Sequence, residues 1–266
     1  MGGAYHATRV GAIGQRREAN DNRPGGRRPR GAVCGLTGRA ACANRFAINT
    51  QKITGGAPMT AAEMLNIFRS NIVYMRGVPA SDVGGNVDYL KFGTKVGAVG
   101  VVRSGSGEIN VPVKFVESAT VGDADAFPTW ICDYAADTVK YKTLSNARPF
   151  CFTANMNGCT FGIGAAVAGG VVTVSHANAT TAGGGNLATQ TAQQKLQSAV
   201  VPGAKLFEPK DYDFSGLQQL NTTLVGILNG NDWTFYYQQF VGQPGGFNYK
   251  LKTFKKIDVN ALTSTS

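Results

Sequence analysis

The chain has 266 residues, 43% of them apolar and only 16% charged, with 35 Gly and 10 Pro. That balance excludes a long helical bundle or coiled coil, which needs Glu, Lys and Leu in quantity, and suits a β-rich domain with many tight turns. The formal charge of +10 is unevenly placed: residues 1–58 carry ten Lys/Arg against Glu18 and Asp21, whereas residues 59–266 carry sixteen against fourteen Asp/Glu. The body therefore has no nucleic-acid signature of its own.

The N-terminal segment 1–58 reads as a basic, disordered leader or tail. Arg16 to Arg30 is RREANDNRPGGRRPR, rich in Gly, Pro and Arg, with no apolar period. Three roles fit it: an arm for RNA or anionic lipid, an export leader, or a stretch read from an upstream start with Met59 as the first native residue. Residues 59–266 are expected to form the second unit, a folded body. No apolar run reaches about 18 residues, so no membrane span is expected.

Thr60-Ala61-Ala62-Glu63 has the form of a capping box, and Met64, Ile67, Phe68 and Ile72 follow at helical spacing. These predict a helix over about 61–75, ended before Gly77 and Pro79. Strands are expected at 89–92, 96–103 and 109–116, the last two joined by a hairpin turn at Ser104-Gly105-Ser106-Gly107. Apolar or β-branched segments follow at 127–136, 138–144 and 150–156. Residues 160–167 and 171–174 form a hairpin around Gly169-Gly170. Residues 180–186 are a loop, and 187–200 a helix with Leu187, Ala192, Leu196 and Ala199 on one face. The chain closes with strands at 222–228, 233–241 and 247–257, turning at Asn229-Gly230 and at Gln243-Pro244-Gly245-Gly246. No repeat of 20–50 residues is visible. The fold class is α+β: a two-layer antiparallel or mixed β-sandwich core with covering helices.

The five cysteines are Cys34, Cys42, Cys132, Cys151 and Cys159, and the two histidines are His6 and His176. An odd count with no CxxC suits a reducing compartment and leaves almost no route to a Cys₂His₂ zinc site. One place combines a nucleophile with a base. Cys159 follows the turn Asn157-Gly158, and His176 ends the next hairpin strand, which brings the two together. An imidazole beside a thiol can hold it as thiolate, and Gly158 lets the turn present sulfur and backbone N–H groups outward. No Asp or Glu lies near in sequence to orient the ring, so a backbone carbonyl or an Asn has to serve. Asn155, Asn157, Ser175 and Asn178 are the polar neighbours. The bland alternative makes Cys159 a small buried hydrophobe and His176 a satisfied strand-end residue.

Thr153-Ala154-Asn155-Met156-Asn157-Gly158-Cys159, with a hairpin ending in His176, resembles the bacterial Cys-His glutamine deamidases. That superfamily includes the cytotoxic necrotizing factor catalytic domain, the Burkholderia lethal factor and the chemotaxis-receptor deamidase. It pairs a Gly-Cys at a strand end with a His one hairpin later. In two of these members a Thr six residues before the Cys offers its backbone carbonyl to the His, and Thr153 stands at that offset. The stretches Leu224-Val225-Gly226-Ile227, Trp233 to Gln238 and Tyr249-Lys250-Leu251 resemble the closing strands of the lethal factor. The residue before Gly158 is Asn157, where the family carries Ser.

The resemblance implies a protein glutamine deamidase, a secreted bacterial toxin or effector acting in the host cytosol. Cys159 would be its nucleophile, His176 its acid–base and Thr153 the ring-orienting residue, with Asn157 and Gly158 forming the oxyanion turn. It implies no cofactor and no metal. It implies a host protein substrate, no obligatory nucleic acid, and a monomer. The loops 77–88, 117–129 and 201–216 would flank the cleft. Two alternatives stay open: a thiol protease or transglutaminase on the same dyad, and a non-catalytic β-rich binding or structural module.

Overall fold

The computed structural model describes residues 58–76, 89–104, 107–120, 122–123, 125–179, 186–212, 220–242 and 249–265. All of these belong to the unit Gln51–Ser266. The basic segment, apart from Pro58, lies outside them, as do Cys34, Cys42, the loop 77–88 and the turn 243–246. In chain order the elements are α1 (Ala61–Ser70), β1 (Ile72–Met75), β2 (Tyr89–Ser104), β3 (Gly107–Ser118), β4 (Phe127–Pro128), β5 (Trp130–Cys132), β6 (Thr138–Leu144) and β7 (Phe150–Thr153). There follow β8 (Thr160–Ile163), β9 (Val172–Asn178), α2 (Asn186–Val200), β10 (Lys205–Phe207), β11 (Leu220–Asn229), β12 (Asp232–Val241), β13 (Tyr249–Lys256) and β14 (Thr263–Ser264).

Among the described residues the strands form two sheets. The larger runs β1-β3-β2-β13-β12-β11-β7-β5, with β4 beside β2, and the smaller runs β14-β10-β8-β9-β6. The result is a β-rich α+β fold. Most pairings are antiparallel; β1 with β3, β13 with β2, and β5 with β7 are parallel.

The capping box at the start of α1 is present: the Thr60 side chain accepts from the Glu63 amide, and the Glu63 carboxylate accepts from the Thr60 amide at 2.7 Å. The helix is shorter than the apolar spacing predicts. It stops at Asn71, whose extended backbone caps it, and Ile72 to Met75 leave as a strand paired with Val113 to Val116. Sheet pairing overrides the helical period here, and three of those four residues have the bulk or branching that a pleat favours. One buried glutamine secures the junction. Gln238 accepts from the Val73 amide at 2.7 Å and donates to the carbonyls of Phe68 and Asn71 at 2.6 and 2.8 Å.

The strands expected at 89–92 and 96–103 are one strand, β2, interrupted by a register shift between Thr94 and Val99. The segment 127–136 breaks into β4, β5 and a turn in which Asp137 takes φ +56. The region 201–216, read from sequence as a loop, contains β10, which pairs with β8.

Alternation along β11 divides the interior. Val225 and Ile227 join Met64 and Phe68 of α1 in one apolar cluster; Leu224 joins another with Phe161 and Val174 of the smaller sheet. The second cluster thus draws on both sheets, and Cys132, Cys151 and Cys159 all belong to it. Phe235 and Tyr237 of β12 are core residues, as aromatics on a strand usually are.

Helix α2 appears where expected, but Ala192, Leu196 and Ala199 of its expected apolar stripe are not buried. Among the side chains described in it, the buried ones are Gln193 and Gln197, one turn apart. Glutamines can occupy that face because the sheet beneath offers them partners, Thr160 and Ser175. Gly162 makes the approach possible: a Cβ there would stand 2.5 Å from Ser175 Oγ and 2.7 Å from Gln197 Oε1.

Candidate active site

The hairpin β8–β9 sets the site. Phe161 lies opposite His176 and Thr160 opposite Ala177. Directly opposed residues share a face, and Cys159, two residues before Phe161, shares its cluster. Carrying the register one residue beyond the ladder puts Cys159 one diagonal step from His176 on the same face. Thr160 and Ser175 project to the opposite face, where α2 lies.

The turn before Cys159 is built on Gly158, which takes φ +87. A side chain there would be strained. Asn157 is exposed, and a backbone hydrogen bond at Asn157 reaches the Cys159 thiol. Three successive carbonyls after the turn are held by buried side chains. Gln193 Nε2 donates to Gly158 O at 3.0 Å, the Tyr212 hydroxyl donates to Cys159 O at 2.7 Å, and Gln197 Nε2 donates to Thr160 O at 3.0 Å.

The imidazole of His176 spans the two sheets. Its Nδ1 lies 2.6 Å from Oγ1 of Thr153 on β7. Thr153 is thus brought to His176, but through its hydroxyl, where the family resemblance implies its backbone carbonyl. The other ring atom, Nε2, is buried with no hydrogen-bond partner among the described residues, so the thiol does not hydrogen-bond the ring. The Tyr134 ring, 46% exposed, packs on the imidazole at 5.7 Å between centroids.

Burial dominates the electrostatics. Cys159 is 5% exposed and His176 fully buried. Desolvation pushes the thiol up to about 11, against a small opposing pull from the hydrogen bond at Asn157. It pushes the imidazole down to about 3. The resting pair is thiol and neutral imidazole, not the ion pair that adjacency in sequence suggests. Cys132 and Cys151 are free, buried thiols whose values burial also raises.

The other polar neighbours have separate roles. Asn155 is committed to β1 and β11: its Oδ1 accepts from the Met75 amide and the Thr223 hydroxyl, and its Nδ2 donates to Met75 O at 3.0 Å. Ser175 donates to Gln197 on the far face. Asn178 is buried on the His176 side of β9. Sequence reasoning missed Gln193, Gln197, Tyr212 and Tyr134. The i, i+4 spacing of the two glutamines is the signal the sequence offers, against the usual rule that buried helix faces are apolar. No group of three or more His, Cys, Asp or Glu able to hold a metal occurs among the described residues. No helix there is long and apolar enough to cross a membrane.

No protein-family model and no curated protein matches this chain.

Proposed function

We propose that the body is a Cys-His amide hydrolase that converts a glutamine side chain of a protein substrate to glutamate. One observation carries the reading: His176 is anchored at Nδ1 by Thr153, and its Nε2 is buried with no hydrogen-bond partner among the described residues. Buried polar atoms are nearly always paired, so an orphaned imidazole nitrogen calls for a role. The Thr153, Gly158, Cys159 and His176 offsets of the deamidase family support it, as does a core cluster drawn from two sheets. In this reading the sheets form the two layers of a β-sandwich, with the site between them.

The reaction follows from the neutral resting pair. With substrate bound, Nε2 comes within hydrogen-bond reach of the thiol, directly or through one water, and takes its proton as sulfur attacks the carboxamide carbon. The S–C bond forms and the carbonyl π electrons move to oxygen, where the Cys159 N–H, at the turn made by Asn157 and Gly158, receives the charge. As the oxyanion collapses, the C–N bond breaks and the imidazolium proton leaves with ammonia. Water, deprotonated by the same ring, adds to the thioester; the thiol departs and regains its proton. The sum is glutamine plus water giving glutamate plus ammonia, with one negative charge added to the target. The biological setting we propose is a secreted bacterial effector acting on a host protein.

Incubation with host-cell lysate followed by peptide mass analysis tests this. Expected is a gain of about 1 Da on particular Gln peptides, absent with Cys159→Ser and with His176→Ala. A cut chain would indicate a protease, an amine adduct a transglutaminase, and an unchanged pattern with Cys159→Ser would overturn the dyad.

The non-catalytic module has one observation in its favour: the thiol is nearly sealed, and burial holds it protonated. Iodoacetamide separates the two readings. A module leaves Cys159 as slow to label as Cys132 and Cys151, whereas the hydrolase labels faster there.

A further inference from the structure

The carbonyls of Gly158, Cys159 and Thr160 are unusual in their partners. Gly158 and Cys159 belong to the turn before β8 and Thr160 begins the strand, and these three carbonyls accept from the buried side chains of Gln193, Tyr212 and Gln197. Gln193 has the most telling position. It is 1% exposed, and its carboxamide is used at both ends. Oε1 accepts from the Thr160 hydroxyl at 2.5 Å, and Nε2 donates to Gly158 O at 3.0 Å. The Gly158 carbonyl can only accept, so the carboxamide nitrogen must face it, and the carboxamide oxygen is left to accept from the Thr160 hydroxyl.

The peptide between Gly158 and Cys159 is planar and trans, so its C=O and N–H point in opposite directions. Drawing Gly158 O toward α2 turns the Cys159 N–H away from α2. Gly158, at φ +87, has no side chain to restrict the rotation about Cα–C that sets this plane. An external hold is needed, and Gln193 supplies it from behind the nucleophile, on the face opposite His176.

We propose that Gln193 is a positioning residue of the Cys159 site: its carboxamide sets the plane of the Gly158–Cys159 peptide, and with it the aim of the Cys159 N–H at the oxyanion. This rests on the amide-hydrolase reading. Gln193 touches neither substrate nor sulfur; it acts through the backbone.

Two reagents separate aim from mere thiol access. p-Nitrophenyl acetate acylates sulfur through an oxyanion and therefore needs the N–H. Iodoacetamide alkylates sulfur by direct displacement of iodide, with no oxyanion. Both reactions are followed on the Cys159 peptide by mass analysis, in the full chain, with Cys159→Ala as the blank. Gln193→Met keeps length and removes both hydrogen bonds. Gln193→Glu keeps the acceptor for Thr160 and loses the donor to Gly158. Both variants are expected to lower acylation by about 100-fold while alkylation stays within about 2-fold of wild type. Equal loss of both reactions in both variants, or no loss of acylation in either, overturns the role of Gln193. A wild-type Cys159 that neither reagent labels faster than Cys132 overturns the hydrolase reading itself.

Discussion

Thr153 and His176, on strands of different sheets, meet at 2.6 Å between Oγ1 and Nδ1. Both are fully buried, so the bond fixes the ring of His176 against β7. Thr153→Val removes it and leaves Nδ1 without that partner. Unfolding in urea should show a loss of about 1–3 kcal/mol, and Cys159-dependent chemistry should fall with it. Thr153→Ser, which keeps the hydroxyl, should recover most of both; a variant with Val that remains fully active would remove Thr153 from the site.

Two of the shifts contribute to the acid and alkaline limits of stability. His176 has an ordinary value of 6.5 and sits near 3 in the fold. Between those values the unfolded chain binds a proton that the fold refuses. Its contribution to stability is therefore full above about pH 6.5 and is lost as pH falls toward 3. Cys159 moves from 9.0 up to about 11. Its contribution is full below pH 9 and is lost between there and about 11. Thermal midpoints measured across this range should fall at both ends. His176→Phe should flatten the acid limb, and an unchanged limb would assign it to other groups.

Tyr134 covers the imidazole with a half-exposed ring. Tyr134→Ala should let water reach His176 and raise its value from about 3 toward 6.5. Nuclear magnetic resonance titration of the ring protons reads this directly. Iodoacetamide labelling of Cys159 should quicken in the same variant. A His176 that still fails to titrate above pH 4 would show that Tyr134 is not what keeps it dry.

Gly158→Ala tests the turn. A Cβ at φ +87 costs on the order of 1–2 kcal/mol. The turn should relax by moving Cys159, so stability and labelling should change together. A variant as stable and reactive as wild type would mean that the turn does not set the sulfur.

Much of this arrangement can be read in the chain itself. The capping box at Thr60 and Glu63, the strand Thr138–Leu144, the helix near 187–200 and the Asn229-Gly230 hairpin are local patterns, and the structure follows them. Placing Cys159 diagonal to His176 needs only a hairpin register. What could not be read depends on distant partners. Ile72 to Met75 look helical until β3 is beside them. Gln193 and Gln197 look like surface residues until Thr160 and Ser175 lie beneath them. The hydroxyl of Thr153 looks incidental until a second sheet brings the imidazole to it. Burial, which reverses the charge state assumed for the pair, has no local signature at all.

The junction held by Gln238 bears on how the body can be shortened. A chain begun after Met75 would lose α1 and β1 together, stranding a carboxamide in the interior and baring the ladder groups of β3 from Val113 to Val116. An uncovered rim of that kind invites another molecule to add its own strand. The smallest version that stays dispersed in solution should therefore begin at or before Thr60.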